Sequence, residues 1–187
     1  MKHIYAFFII VLLAAFSLSC SQYDYSSPHP GTIELHLKTI SHNIAFQPLN
    51  NFTLKVTQIN VQRAGGSQLV VNEDVNAIGR TANIYNTLDF RARDSSLVIG
   101  QAYAPPDDYT DVIMLVEPGP QVVLNGYQLI DVIKPVDFSP TLFFHHRFHV
   151  SESQVTKITL TVDLDSTLVQ GSTAYFFNPY YYISSVK

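Results

Sequence analysis

Two stretches far apart in the chain, TIELHLK at 32–38 and ITLTVDL at 158–164, alternate apolar and polar residues without a miss. Such a period of two puts Ile33, Leu35 and Leu37 on one face and Glu34, His36 and Lys38 on the other, which is the pattern of a half-buried strand and not of a helix. The second stretch does the same, with Ile158, Leu160, Val162 and Leu164 inward and Thr159, Thr161 and Asp163 outward. Between them, FTLKVTQINV places Phe52, Leu54 and Val56 on one parity and Ile59 and Val61 on the other. A slip of one residue flips every later side chain, so a bulge or a bend between sheets is expected near Thr57 and Gln58.

Turn signals divide the rest into further strands. Asn125 and Gly126 stand between the arms of VVLNGYQLI, a strong two-residue hairpin signal because both positions favour positive φ. Gly65 and Gly66 close a looser hairpin in INVQRAGGSQLVV. DVIMLV, 111–116, is apolar without alternation and reads as a strand buried on both faces; APPDDYT before it reads as loop. The segment from Val75 to Leu88 is the least patterned, and ANIYNTLDF reads as a short helix or a crossing loop. Seven to nine strands with frequent turns predict an all-β chain: a two-sheet antiparallel β-sandwich, immunoglobulin- or transthyretin-like, with at most one short helix.

Before the β region lies a different kind of sequence. Lys2 and His3 precede an unbroken apolar run from Ile4 to Phe16, then small residues up to Cys20, the one cysteine of the 187. A run of about 13 residues is shorter than the roughly 20 that span a bilayer as a helix, and its layout is that of a secretory signal peptide. The arrangement resembles bacterial lipoproteins, in which a cysteine directly after the signal segment is lipidated and becomes the first mature residue. Ser19 fits the small residue wanted before it; leucine is commonest at the place of Ser17. The resemblance implies residues 1–19 as signal peptide, Cys20 as the acylated residue, 20–30 as a lipidated tether and 31–187 as the domain. Several acyl chains of the palmitate kind, at about 0.8 kcal/mol per buried methylene, would make the membrane the domain's first partner. Ser21 is not the aspartate that retains some lipoproteins at the inner membrane, which favours the outer membrane of the cell envelope.

Charge excludes one class of partner. Removing Lys2 with the leader leaves 10 basic against 15 acidic residues, a net charge of −5, and the lysines and arginines form no cluster. Nucleic-acid binding needs a basic footprint, so no nucleic-acid partner is expected. With one cysteine in the chain, no intramolecular disulfide supports the fold.

The order of the strands resembles the bacterial lipoprotein family catalogued as domain of unknown function 4382. The likeness runs from Gly31 to Ser184 and rests on Gly31 with its alternating strand, TLKVTQINVQR, LDF at 88–90, YTDVIMLV at 109–116, the VVLNG hairpin, LTVDLDSTLV and FFNPYYYIS. It departs at Asp108, where the family usually carries a glycine. It implies a β-sandwich exported domain and no assigned activity.

Several residues invite chemistry. In LFFHHRFHV, a strand puts His145, Arg147 and His149 on one face and a partly buried His146 on the other. His145 and His149 then stand about 13 Å apart, too far to share a zinc whose ligands lie at about 2 Å, and Arg147 between them repels a cation. Asp107, Asp108 and Asp111 crowd one segment without the spacing of a calcium loop. Asp163 and Asp165 share a strand face and read as solvated. Ser, His and Asp residues show no triad order, and no nucleophile elbow, zincin helix or phosphate loop is present. No metal, cofactor or catalytic residue is therefore assigned.

The aromatic supply is more suggestive. Tyr175, Phe176, Phe177, Tyr180, Tyr181 and Tyr182 crowd the C-terminus around Pro179. Alternation sends about half into the core; the others, with Tyr180, Tyr181 and Tyr182 as candidates, would form an exposed aromatic surface for a glycan or an envelope protein partner. Asp165, Ser166 and Thr167 match a three-residue motif at which some exported bacterial proteins are glycosylated. Two functions follow as expectations: a non-catalytic, lipid-anchored binding or structural module, favoured, or a glycan-directed hydrolase or metal-dependent envelope enzyme, which would need converging polar groups in a cleft.

Overall fold

A computed structural model of the chain describes residues 28–42, 49–71, 83–90 and 95–187. The signal peptide, Cys20 and most of the tether lie outside the described residues, as do 72–82. Twelve strands are described: β1 (Gly31–Ile40), β2 (Leu49–Arg63), β3 (Gln68–Val70), β4 (Asn83–Asn86), β5 (Leu97–Ala104), β6 (Asp107–Leu124), β7 (Gln128–Ile133), β8 (Thr141–Val150), β9 (Val155–Asp163), β10 (Leu168–Gln170), β11 (Tyr175–Phe177) and β12 (Tyr181–Val186). One short helix, α1 (Leu164–Thr167), follows β9, and a 3-10 turn (Thr87–Phe90) follows β4.

The strands form two sheets around one core. The smaller has the order β12-β9-β1-β5. In the larger, the long strands β2 and β6 pair antiparallel at the centre. Each is flanked on its other side by two shorter strands in series, β4 and β3 along β2 and β7 and β8 along β6. Strands β11 and β10 continue the sheet beyond β7. The two sheets are mixed, which corrects the all-antiparallel expectation: β1 runs parallel to β9 and β11 to β7. The count also exceeds the seven to nine expected, because β3, β10 and β11 are only three residues each.

The alternating stretches bury the faces their period assigns. Ile33, Leu35 and Leu37 meet Phe52, Leu54 and Met114 across the core, all without solvent exposure. The expected bulge in β2 lies at Thr57: Val56 pairs with Val116 and Gln58 with Leu115, so Thr57 has no ladder partner and its hydroxyl donates to the Leu115 carbonyl at 3.3 Å. At the β6–β7 hairpin Asn125 and Gly126 adopt φ of 52° and 81°, as an Asn-Gly turn requires. The Gly65–Gly66 hairpin is also present, closed by Arg63 N–H on the Ser67 carbonyl at 2.8 Å.

Two local readings are corrected. Asp107 and Asp108 are not loop: the strand resumes directly after Pro105 and Pro106, and both aspartates stand in the β6 ladder opposite Val150 and His149. ANIYNTLDF is a strand and then a short helix in its described part: Asn83–Asn86 pairs with Thr53–Val56 as β4, and only Thr87–Phe90 forms a helical turn, of the 3-10 kind. β-propensity at Ile84 and Tyr85 is satisfied once the edge of β2 is available, a fact that no local pattern contains.

Candidate functional site

Pairing β6 with β8 gathers the acidic residues and the histidines that lie about 40 positions apart in sequence. Asp111 faces His145 and Asp108 faces His149 as direct ladder partners. The His145 Nδ1 meets the Asp111 carboxylate, and the His149 Nδ1 lies 2.8 Å from Asp108. Asp107 accepts from Arg63 through Nε at 2.8 Å and from the Asp108 backbone N–H at 2.7 Å. The Asp108 N–H and the Arg63 guanidinium together hold the Asp107 carboxyl below the usual carboxylate range. The Thr110 hydroxyl, donating at 2.6 Å, and His145 do the same for Asp111. Each of these carboxylates is thus an acceptor in a cross-strand or turn contact. Among the described residues no three His, Cys, Asp or Glu side chains are placed to hold one metal ion.

His146 departs from the expectation of partial burial: it is exposed. Tyr109 pairs with Phe148 but Asp111 with His145, so His146 and Arg147 together oppose Thr110. That extra residue in β8 is a bulge, which turns His146 away from the core while Phe144 and Phe148 stay buried.

Asp163 and Asp165 are not a solvated pair on a strand. Asp163 caps α1, accepting from the Asp165 N–H at 3.0 Å and the Ser166 hydroxyl at 3.1 Å. Asp165 lies in the helix and accepts from the Ser41 hydroxyl at 3.0 Å and the His42 N–H at 2.7 Å. Within the same motif Thr167 is buried and donates to the Tyr180 carbonyl at 3.2 Å.

The C-terminal tyrosines divide. Tyr180 and Tyr182 are 51% and 39% exposed, with ring centroids 6.2 Å apart in an edge-on arrangement. Tyr181, expected among the surface candidates, instead turns toward Phe177, 6.5 Å away between centroids, and its buried hydroxyl has no hydrogen-bond partner among the described residues. The aromatic surface therefore holds two of the three tyrosines, as a period of two dictates.

Tyr182 shares a groove with an aromatic of the other sheet, Phe143. Between β8 and β12 runs an open groove of about 300 Å³, lined by Phe143, His145, His146 and Tyr182 with Phe144, Tyr181 and Ile183. Phe143 is 60% exposed and lies parallel to the His145 ring, centroids 6.5 Å apart. Both walls are sheet edges: among the described residues β8 pairs only with β6 and β12 only with β9. The residues that meet here come from 143–146 and 181–183, the histidine-rich and tyrosine-rich runs, each conspicuous in the sequence but with nothing there to join them.

One further arrangement was not readable from the sequence. On the outer face of the smaller sheet, His36 places Nδ1 3.2 Å from the Ser96 hydroxyl and Nε2 3.3 Å from Glu34. Although His36 faces outward, as its parity predicts, it is only 6% exposed. Burial holds its imidazole below the usual histidine range against the opposing pull of Glu34. The neutral ring then accepts from Ser96 and donates to Glu34.

Compared with protein-family models, curated proteins and solved structures, the chain matches none of them.

Proposed function

We propose that this chain is a lipid-anchored lipoprotein of the bacterial cell envelope, tethered through Cys20 at the outer membrane, whose β-sandwich serves as a non-catalytic binding domain. The observation that carries the binding reading is the groove between β8 and β12, which exposed Phe143 and Tyr182 both line, with Tyr180 exposed beside Tyr182. Tyrosine and phenylalanine on a surface supply large apolar area at a low entropic cost, the commonest chemistry of recognition patches. The three clustered aspartates a glycan hydrolase could draw on are each held in an ion pair, Asp107 with Arg63, Asp108 with His149 and Asp111 with His145. Membership of the lipoprotein family named above remains part of this proposal and rests on the order of its strand motifs.

Membrane fractionation and protease shaving of intact cells, wild type beside Cys20→Ala, test the anchor. Cys20→Ala is expected to leave the membrane fraction, and unchanged attachment would sink the lipoprotein reading. Cleavage of the wild-type domain on whole cells would place the groove outside; protection until the outer membrane is opened would place it in the periplasm.

A second reading, an envelope hydrolase, has one observation in its favour: Ser96, His36 and Glu34 are ordered as a nucleophile, base and orienting acid. A fluorophosphonate probe separates the readings. Covalent labelling of Ser96 that disappears in His36→Ala would replace the binding reading with a serine hydrolase.

A further inference from the structure

The two walls of the β8–β12 groove are irregular in the same way. In β8 the extra residue lies at His146 and Arg147. In β12, Ile183 pairs with Leu160 and Ser185 with Thr159, so Ser184 has no ladder partner; its hydroxyl donates to the Thr159 carbonyl at 3.3 Å and accepts from Thr161 at 2.8 Å. Bulges on an edge break the straight row of N–H and C=O groups that an added strand would need, and proteins use them to block strand addition. The groove therefore offers side chains to a ligand in place of a β-ladder.

Those side chains are flat rings and hydrogen-bonding groups. Phe143 on one wall and Tyr182 on the other are exposed. His145 spends Nδ1 on Asp111, which leaves Nε2 facing outward from a highly exposed ring. The exposed His146 side chain has no hydrogen-bond or ion-pair partner among the described residues. The one acid in contact with the groove's residues, Asp111, is held by His145 and Thr110, so the site presents no uncompensated charge. A ligand matched to it carries hydroxyl groups rather than ions, and a weakly polar face that stacks on an aromatic ring. A volume of about 300 Å³ is at the small end of ligand sites, so the occupant is held at one or two units along an open channel.

We propose that the β8–β12 groove binds a neutral glycan, with pyranose rings stacked on Tyr182 and Phe143 and sugar hydroxyls bonded by His145 Nε2 and His146. This rests on the reading of the groove as the domain's binding face. The full chain, held in detergent micelles, is titrated calorimetrically with neutral hexasaccharides of glucose, xylose, mannose, galactose and N-acetylglucosamine, with hexagalacturonate as the acidic comparison. At least one neutral hexamer is expected to bind. Tyr182→Ala and Phe143→Ala should each weaken it about tenfold, the scale of one lost aromatic contact. Tyr182→Phe keeps the ring and should keep the affinity. Phe176→Ala, exposed on a different part of the larger sheet, should change nothing. Thermal unfolding of each variant separates lost contact from lost fold.

The glycan proposal is overturned if no neutral hexamer binds, if only hexagalacturonate binds, or if binding survives Tyr182→Ala and Phe143→Ala together. A photo-crosslinker placed at position 182 in cells distinguishes the two layers. A protein captured there while no sugar binds overturns the glycan and leaves the groove as the binding face. Neither sugar nor crosslinked partner overturns both.

Discussion

Asp111 on β6 and His145 on β8 are direct ladder partners, and the His145 Nδ1 is joined to the Asp111 carboxylate across the pair. The contact ties an edge strand to the centre of the larger sheet at the point where the groove begins. It also makes the grip on β8 depend on pH.

The Thr110 hydroxyl first, and His145 after it, hold the Asp111 carboxyl below its ordinary range. The folded chain therefore binds this proton less readily than the unfolded one, whose aspartates titrate near about 3.9. The resulting stability is complete above that value and is lost as pH falls through the lower folded value. Asp111→Asn is expected to cost about 0.5–1 kcal/mol at neutral pH, the scale of a partly exposed pair. In urea titrations at a series of pH values the two proteins should converge in acid. A gap that stays constant to pH 2 would show that the carboxylate charge is not involved.

His36 gives a slope at higher pH. Burial holds its folded value below the ordinary value of about 6.5, so the unfolded chain takes up the proton first. Stability from the neutral ring is full above about 6.5 and declines as pH falls from there through the folded value. His36→Gln keeps a polar side chain without this titration. The stability difference between wild type and variant should therefore shrink on going from neutral to mildly acid solution, and a difference independent of pH counts against the assignment.

Gly100 on β5 packs against the backbone of Val71, just past the end of β3. A Cβ there would lie 2.6 Å from the Val71 carbonyl oxygen, which cannot swing aside as a flexible side chain would. Gly100→Ala should destabilise the domain by about 1–3 kcal/mol. At Gly65 an added Cβ meets nothing within 4 Å, and Gly65→Ala should stay within about 0.5 kcal/mol of wild type. Equal losses at the two sites in denaturant unfolding would contradict the packing at Gly100.

The Tyr181 hydroxyl is buried with no partner among the described residues, and burial raises its phenol above the ordinary tyrosine value. A buried, unsatisfied hydroxyl costs stability, so Tyr181→Phe should be neutral or gain about 1 kcal/mol. A clear loss in the chemical denaturation midpoint would mean that the hydroxyl is hydrogen-bonded.

The parts of the fold written in local pattern were legible from the residues alone. Alternation at Ile33–Leu37 and Ile158–Val162 gave the core faces, the parity change between Val56 and Ile59 located the bulge at Thr57, and Asn125–Gly126 marked its turn. Each depends only on side-chain period and on which φ values a residue tolerates. The same period of two, run along Tyr180–Tyr182, exposes the outer two and turns Tyr181 inward toward Phe177.

Local residue pattern thus specifies that this chain is built of strands, where they bend, and which side of each is apolar. Which strands lie side by side is set by the assembled fold alone. The parallel pairing of β1 with β9, the strand identity of Asp107 and Asp108, the Asp108–His149 and Asp111–His145 pairs and the groove that Phe143 and Tyr182 both line all depend on residues distant in the chain. A strand's period records the face it buries but not the neighbour its backbone bonds to, because every edge offers the same N–H and C=O groups. Choice among edges comes from the packing of the whole core, and with it came the groove.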